Sequence, residues 1–222
     1  MRALAAAVFA IALGTPSAAR AQAPGRDVPH AGTFEISGGV QSTGGDSFDA
    51  ALANETRNPS TGSGPLTLFQ GEPELTRGVG FNARLGFFFG PRFSVEGGVE
   101  VTRPSLNVRT SGDFESATDT TAESPLTEYI VEGSVLYHFG RGSFMPFVVG
   151  GGGYLRQVLE DASTIETGNE VHGGGGVKYL FGRHFGVRAE ARASSRSGGL
   201  SLDASTKRRL VPTFSVGGLY LF

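Results

Sequence analysis

Eight stretches of the chain, residues 33–41, 77–89, 93–108, 126–139, 144–159, 169–181, 185–194 and 211–222, alternate apolar residues with polar or small ones at every second position. That period makes one face of an extended strand apolar and leaves the other free for a different chemistry. The closing run VPTFSVGGLYLF sets Pro212, Phe214, Val216, Gly218, Tyr220 and Phe222 on one side. Thr213, Ser215, Gly217, Leu219 and Leu221 fall on the other. The stretches run about 9 to 16 residues, long for globular strands but suited to strands tilted across a membrane. After residue 21 no run of about 18 apolar residues exists, so a spanning helix is not expected.

The two faces differ sharply. One carries rows such as Phe34, Ile36, Gly38, Val40; Val79, Phe81, Ala83, Leu85, Phe87; and Tyr129, Val131, Gly133, Val135, Tyr137. In the fifth stretch the apolar row reads Phe147, Val149, Gly151, Gly153 and Leu155. The opposite faces carry Glu35, Asn82, Arg84, Glu96, Glu100, Glu128, Glu132, Arg156, Glu170, Lys178, Arg188, Glu190 and Arg192. A soluble barrel puts its charges outside and its apolar chains within. The continuous apolar face here predicts the reverse, with lipid outside and ions enclosed.

The connections support that reading. Segments 42–76, 109–125 and 195–209 are long, 90–92, 140–143 and 182–184 are short, and 160–168 is intermediate. Short turns at one end and long loops at the other are the pattern of an outer-membrane barrel. The short turns share a repeat, FFFGPRF (87–93), YHFGRGSF (137–144) and YLFGRHF (179–185). Phe87, Phe89, Phe93, Tyr137, Phe139, Phe144, Tyr179, Phe181 and Phe185 therefore predict an aromatic girdle at the membrane–water boundary. The fold expected is an all-β, eight-stranded antiparallel up-and-down transmembrane β-barrel.

The N-terminus predicts export. Arg2 precedes the apolar stretch ALAAAVFAIAL at 3–13, and Ala19-Arg20-Ala21 fits a small-x-small cleavage site. The expected organisation is a signal peptide at 1–21, an N-terminal segment at 22–32 and a barrel domain at 33–222. Cleavage after Ala23 would leave Pro24 first, which is unfavourable. Without Arg2 and Arg20 the formal charge moves from −2 to −4, which argues against a nucleic-acid binder. Cysteine is absent, so disulfides and zinc–thiolate sites are excluded. Glycine, at 35 of 222 residues, is over twice the usual ~7%.

Enclosed charges must pair, because an isolated buried ion is very costly. An internal ladder is expected from Arg84, Glu96, Glu100, Glu132, Lys178, Arg188, Glu190 and Arg192. A turn centred on Pro91 brings Arg84 near Glu96 and Glu100, and a turn at Arg183 brings Lys178 near Arg188 and Glu190. Eight strands leave room for side chains rather than an open channel, so a plugged interior is favoured over a gated ion path. The quartets Gly150–Gly153 and Gly173–Gly176 lack phosphate-loop spacing. Side by side on paired strands they would leave room for long residues from the opposite wall.

No catalytic, cofactor or metal site is expected. His30, His138, His172 and His184 lie on separate segments, and none begins the His-x-Ser pair of a barrel deacylase. His30 with Asp46 and Ser47, a palmitoyltransferase-like set, consists of common residues in loop sequence.

The signal-like start, PFVVGGGGY (146–154) within a strand, the aromatic turns and the terminal Phe222 resemble the small bacterial outer-membrane barrels. This is the OmpA transmembrane-domain-like family, also described as the porin family or outer membrane protein β-barrel domain. The resemblance covers the mature chain. It implies residence in the outer membrane of a Gram-negative cell, with lipid and lipopolysaccharide as surroundings. It also implies that Tyr220 and Phe222 form the signal read by the barrel-assembly machinery. No peptidoglycan-binding segment follows Phe222, so the tethering role of longer family members is not expected.

The loops would then carry any surface ligand. A short helix over 48–57 after a Ser47 cap is expected, PLTLFQGEPE (65–74) could touch lipid or a partner, and Lys207-Arg208-Arg209 could meet lipopolysaccharide phosphates. The function expected is structural or surface-interacting, without catalysis. A small-solute or ion channel is the alternative, and a lipid A-modifying enzyme is disfavoured.

Overall fold

The computed structural model describes residues 29–48, 50–55, 66–112, 118–140, 142–159, 164–199 and 209–222. The expected signal peptide lies outside the described residues. The strands in chain order are β1 (Phe34–Thr43), β2 (Asp46–Ser47), β3 (Ala51–Glu55), β4 (Leu66–Leu75), β5 (Gly78–Phe88) and β6 (Phe93–Arg103). They continue as β7 (Ser105–Ser111), β8 (Thr120–His138), β9 (Phe144–Leu159), β10 (Thr164–Leu180), β11 (Phe185–Gly198) and β12 (Arg209–Leu221). Every pairing is antiparallel.

Eight of these strands close on themselves in the cycle β1-β5-β6-β8-β9-β10-β11-β12. The chain's last strand seals the ring, pairing β1 through Glu35↔Leu221 on one edge and β11 through Phe185↔Tyr220 on the other. Even Phe222 donates its backbone N–H to the Phe34 carbonyl, at 2.9 Å. A closed ring has no unpaired edge, which a strand in hydrocarbon requires.

The alternating rows take the expected sides on seven of the eight barrel strands. Phe81 (70% exposed), Val131 (59%) and Val216 (60%) face outward, while Arg84, Glu132 and Ser215 on the same strands are buried. The fifth stretch, β9, is inverted. Its Phe147, Val149 and Leu155 are buried inside, and Val148, Tyr154 and Arg156 face out. Val148 and Val149 are both apolar, so the pattern there does not fix the phase. Register against the neighbours does: Tyr154 stands beside outward Val131, and Arg156 beside outward Tyr129. Arg156 is thus on the outer wall near the long-loop end, where a long basic side chain can reach the headgroups.

The long connections are not loops throughout. Strand pairing continues past the barrel rim into a second sheet of β2, β3, β4, β7 and the start of β8. The stretch expected as one strand over 93–108 is broken at Pro104, which has no N–H for the ladder. The residue pairing to β8 nonetheless keeps its phase, from Thr102↔Glu128 to Ser105↔Pro125. Between β4 and β5 one extra residue interrupts the pairing with β6–β7, since Leu75 faces Leu106 while Val79 faces Arg103. That bulge flips the faces, so Leu75 is buried where β5 buries its even-numbered residues. The helix expected over 48–57 is not present in the described part. Ala51–Glu55 is a strand paired to β4, because a neighbouring ladder satisfies its backbone groups better than an isolated short helix could.

Candidate functional site

The inside of the barrel is layered along its axis. At the short-turn end Phe88, Met145, Leu180, Leu219 and Leu221 form a buried apolar cluster. At the long-loop end Phe48, Leu75, Leu106 and Leu126 form another, with Val108 and Leu159 against it. Between them lie, among the described residues, twelve buried charged ones. Apolar layers at both mouths keep water from the ions, which strengthens each pairing and raises the penalty of losing one.

Next to the short-turn cluster, the Lys178 Nζ donates to Glu35 Oε2 at 2.8 Å and to Glu96 Oε1 at 3.0 Å. It also sits over the rings of Phe88 and Phe147, 5.3 and 5.4 Å from their centroids. Arg188 reaches Glu96 at 2.8 Å and Glu190 at 2.5 Å. In the middle, Arg84 bonds Glu100 at 2.8 Å and Glu132 at 3.2 Å. Arg192 bonds Glu132 at 2.6 Å and also Glu100, and its Nε lies 2.8 Å from Glu190. Toward the long-loop end Arg196 meets Glu128 at 3.2 Å and Glu170 at 3.4 Å. Glu128 also accepts from Gln157 at 2.6 Å and Thr102 at 3.2 Å.

These contacts cross the lumen. β6 and β11 stand on opposite sides of the eight-strand ring, yet Arg188 of β11 bonds Glu96 of β6 and Arg192 bonds Glu100. Hairpin geometry alone predicts these partners only in part: the Arg84–Glu100 pair forms as expected, the others do not. Arg84 faces Gly98 in register and takes Glu100, while Glu96 turns to Lys178 and Arg188. Lys178 does lie opposite Arg188, but its carboxylates are Glu35 and Glu96 rather than Glu190. Hairpin register governs neighbours along the sheet; it says nothing about what a long side chain meets on the far wall.

Three buried interior residues were not assigned to the lumen from sequence. Arg196 continues the row of Arg188, Glu190 and Arg192 at the same period, beyond the expected strand end at Ser194. His172 and Ser134 are buried on β10 and β8, with Ser134 Oγ 2.8 Å from His172 Nε2. The other ring nitrogen, Nδ1, lies 3.3 Å from Glu170 Oε1 and 3.6 Å from Glu132 Oε2. The glycine quartets make this possible. At Gly151 a Cβ would stand 2.7 Å from His172 Nε2 and 2.8 Å from Ser134 Oγ, and at Gly174 one would meet Arg192 Cγ at 2.9 Å.

Outside, all nine girdle residues ring the short-turn end. Phe34–Phe87, Phe87–Phe89, Phe93–Tyr137, Tyr137–Phe139 and Phe185–Tyr220 pack ring to ring with centroids 5.0–5.2 Å apart. Phe144, Tyr179 and Phe181 stand exposed beside them. Tyr220 and Phe222 belong to the same belt, 4.8 Å apart, and Phe222 is 69% exposed. Of the basic loop triplet, Lys207 and Arg208 lie outside the described residues; Arg209 sits over the Phe48 ring at 4.6 Å. Of the palmitoyltransferase-like set, His30 is placed below the short-turn end and bonds the Ala31 carbonyl, whereas Asp46 and Ser47 form β2 at the opposite end.

A family model described as the outer membrane protein beta-barrel domain matches residues 4–207. No curated protein sequence matches significantly. Among solved structures, the outer membrane protein OprG from Pseudomonas aeruginosa is similar with a TM-score of 0.57 at 14% identity, over 87% of this chain and 97% of that one. The attachment invasion locus protein Ail of Yersinia pestis, solved with the heparin analogue sucrose octasulfate, gives 0.50 at 14% identity, over 86% and 99%. At that identity the likeness concerns the fold.

Proposed function

The chain belongs to the outer membrane protein beta-barrel domain family, and from that premise we propose that it is a closed, non-catalytic barrel that serves as a structural or surface-interacting element. It resides in the bacterial outer membrane. The observation that carries the reading is the filled interior: an ion network that spans the lumen, stoppered by an apolar cluster at each mouth. A solute channel needs a continuous wet path, and residues such as Lys178 and Phe88, both 0% exposed, occupy that path.

Catalysis is disfavoured on the same ground. Ser134, His172 and Glu170 stand in the order of a nucleophile, base and orienting acid. Yet each is buried, Ser134 at 8% exposure, and neither an acyl chain nor a peptide bond can reach its Oγ. What is left open to partners is the sheet beyond the rim. Leu52 and Phe69 are 57% and 42% exposed there, on strands paired outside the barrel. Lipopolysaccharide would surround this region, and a surface ligand would meet it first. Tyr220 and Phe222, outward on the sealing strand, are the proposed recognition element for the assembly machinery.

Single-channel recording of the refolded mature barrel in a planar bilayer tests the reading. A silent bilayer is expected. Steady, reproducible openings would replace it with the small-solute channel. A mass change in lipid A upon overexpression would replace it with the lipid-modifying enzyme.

A further inference from the structure

Among the described residues, seven buried carboxylates face five buried cations: Glu35, Glu96, Glu100, Glu128, Glu132, Glu170 and Glu190 against Arg84, Lys178, Arg188, Arg192 and Arg196. The described interior is therefore two positive charges short. An uncompensated buried charge costs several kcal/mol, so something must supply the difference.

We propose that the lumen holds one divalent transition-metal ion of the Zn2+ class, bound by His172 Nδ1, Glu170 and Glu132. The three donor atoms lie within 4.8 Å of one another. His172 is 4% exposed, and its Nδ1 makes no hydrogen bond although Glu170 Oε1 and Glu132 Oε2 stand 3.3 and 3.6 Å away. Those separations are what a tetrahedral shell requires: ligand atoms about 2.0–2.1 Å from the metal sit about 3.4 Å from each other. The supporting groups are also in place. Ser134 Oγ stands 2.8 Å from Nε2; a metal on Nδ1 puts the ring proton on Nε2, where Ser134 Oγ is placed to accept it. Arg196 holds the second oxygen of Glu170 and Arg84 the second oxygen of Glu132, while Arg192 shares Glu132 Oε2 at 2.6 Å and would keep that lone pair divided between guanidinium and ion. One imidazole nitrogen and two carboxylate oxygens suit zinc and its neighbours, and the ion's charge matches the deficit.

This inference stands apart from the reading of function and survives its failure. The test is to strip the purified protein with a chelator, refold it into detergent with Zn2+ or Co2+ present, and remove free metal. Refolding with the metal avoids any barrier to entry through the closed mouths. One equivalent of Zn2+ per chain by elemental analysis is expected, and visible absorption of tetrahedral type with Co2+. His172→Ala and Glu170→Gln should lose the ion yet keep the heat-modifiable mobility of a folded barrel. Ser134→Ala should bind about 10–100-fold more weakly. Metal-free wild-type protein after refolding would overturn the proposal, as would full occupancy in His172→Ala. Should both ligand variants fail to fold, Ser134→Ala with unchanged affinity would overturn it as well.

Discussion

The two walls of the lumen follow the same strand period and carry opposite charge. Among the described residues, β6 and β8 contribute buried Glu96, Glu100, Glu128 and Glu132 and no buried Lys or Arg. β10 and β11 contribute Lys178, Arg188, Arg192 and Arg196, with Glu170 and Glu190 between them. Within the β10–β11 hairpin Lys178 stands directly opposite Arg188, an arrangement that disfavours the isolated hairpin. The acid wall resolves it, because Glu96 accepts from both cations across the lumen. Local pairing is thus frustrated and closure of the ring relieves it. The ion network favours the closed barrel over partly paired sheets, a role that well-packed apolar residues, indifferent to partner, would fill less selectively.

The sharpest way to break this contrast is to put acid on the basic wall. Arg192→Glu sets a fourth carboxylate among Glu100, Glu132 and Glu190. It should forfeit more than the ~3–5 kcal/mol expected for removing one member of a buried pair. Refolding into micelles followed by heat-modifiable gel mobility checks it; a normally folded band would show that the walls do not need opposite signs. A smaller loss is expected on the other face of a wall strand. Val131→Arg, one residue from buried Glu132, should cost ~2–4 kcal/mol in urea unfolding followed by circular dichroism, because residue 131 points at hydrocarbon.

Removing charge from both walls together should matter less than removing it from one. Arg196→Met alone leaves Glu128 and Glu170 short of a cation and should cost ~3 kcal/mol. Adding Glu128→Leu should recover much of that, since replacing both partners by apolar residues is often close to neutral. An additive loss would mean that Arg196 does not act through Glu128. The smallest effect lies outside the barrel, at Arg109 and Asp119, 2.8 Å apart with side chains 58% and 46% exposed. Water and salt screen such a pair, so Arg109→Ala should leave the unfolding midpoint unmoved.

Much of the fold is legible in the sequence because lipid outside and ions inside enforce a strict period of two. Phe81 beside Asn82 and Val131 beside Glu132 leave one orientation open. Legibility fails where the period loses contrast. Val148 and Val149 suit either face, so β9 takes its phase from its neighbours, and Arg156 goes outward with Tyr154. It fails again where strands outlast the membrane. Beyond Thr76 and Pro104 no hydrocarbon imposes alternation, and Ala51–Glu55 reads as helix until β4 is seen beside it. For the interior, which residues are enclosed follows from the period, as with Arg84, Glu100 and Arg192. Who meets whom does not, since Arg188 finds Glu96 across the diameter of the ring. Glu132 with Ser134 and Glu170 with His172 each sit two apart on one strand face, but nothing in the sequence joins the two pairs; only the β8–β9–β10 register and the empty place at Gly151 bring them together.

Coupling of the two walls through the lumen is measured directly by a double-mutant cycle on Arg188 and Glu96. Equilibrium unfolding in micelles of Arg188→Met, Glu96→Gln and the double variant gives the interaction energy. A favourable coupling of about 1.5 kcal/mol or more is expected for a desolvated pair in a shared network. Strictly additive losses would mean that the walls do not hold each other, and that the barrel closes for reasons unrelated to its enclosed charge.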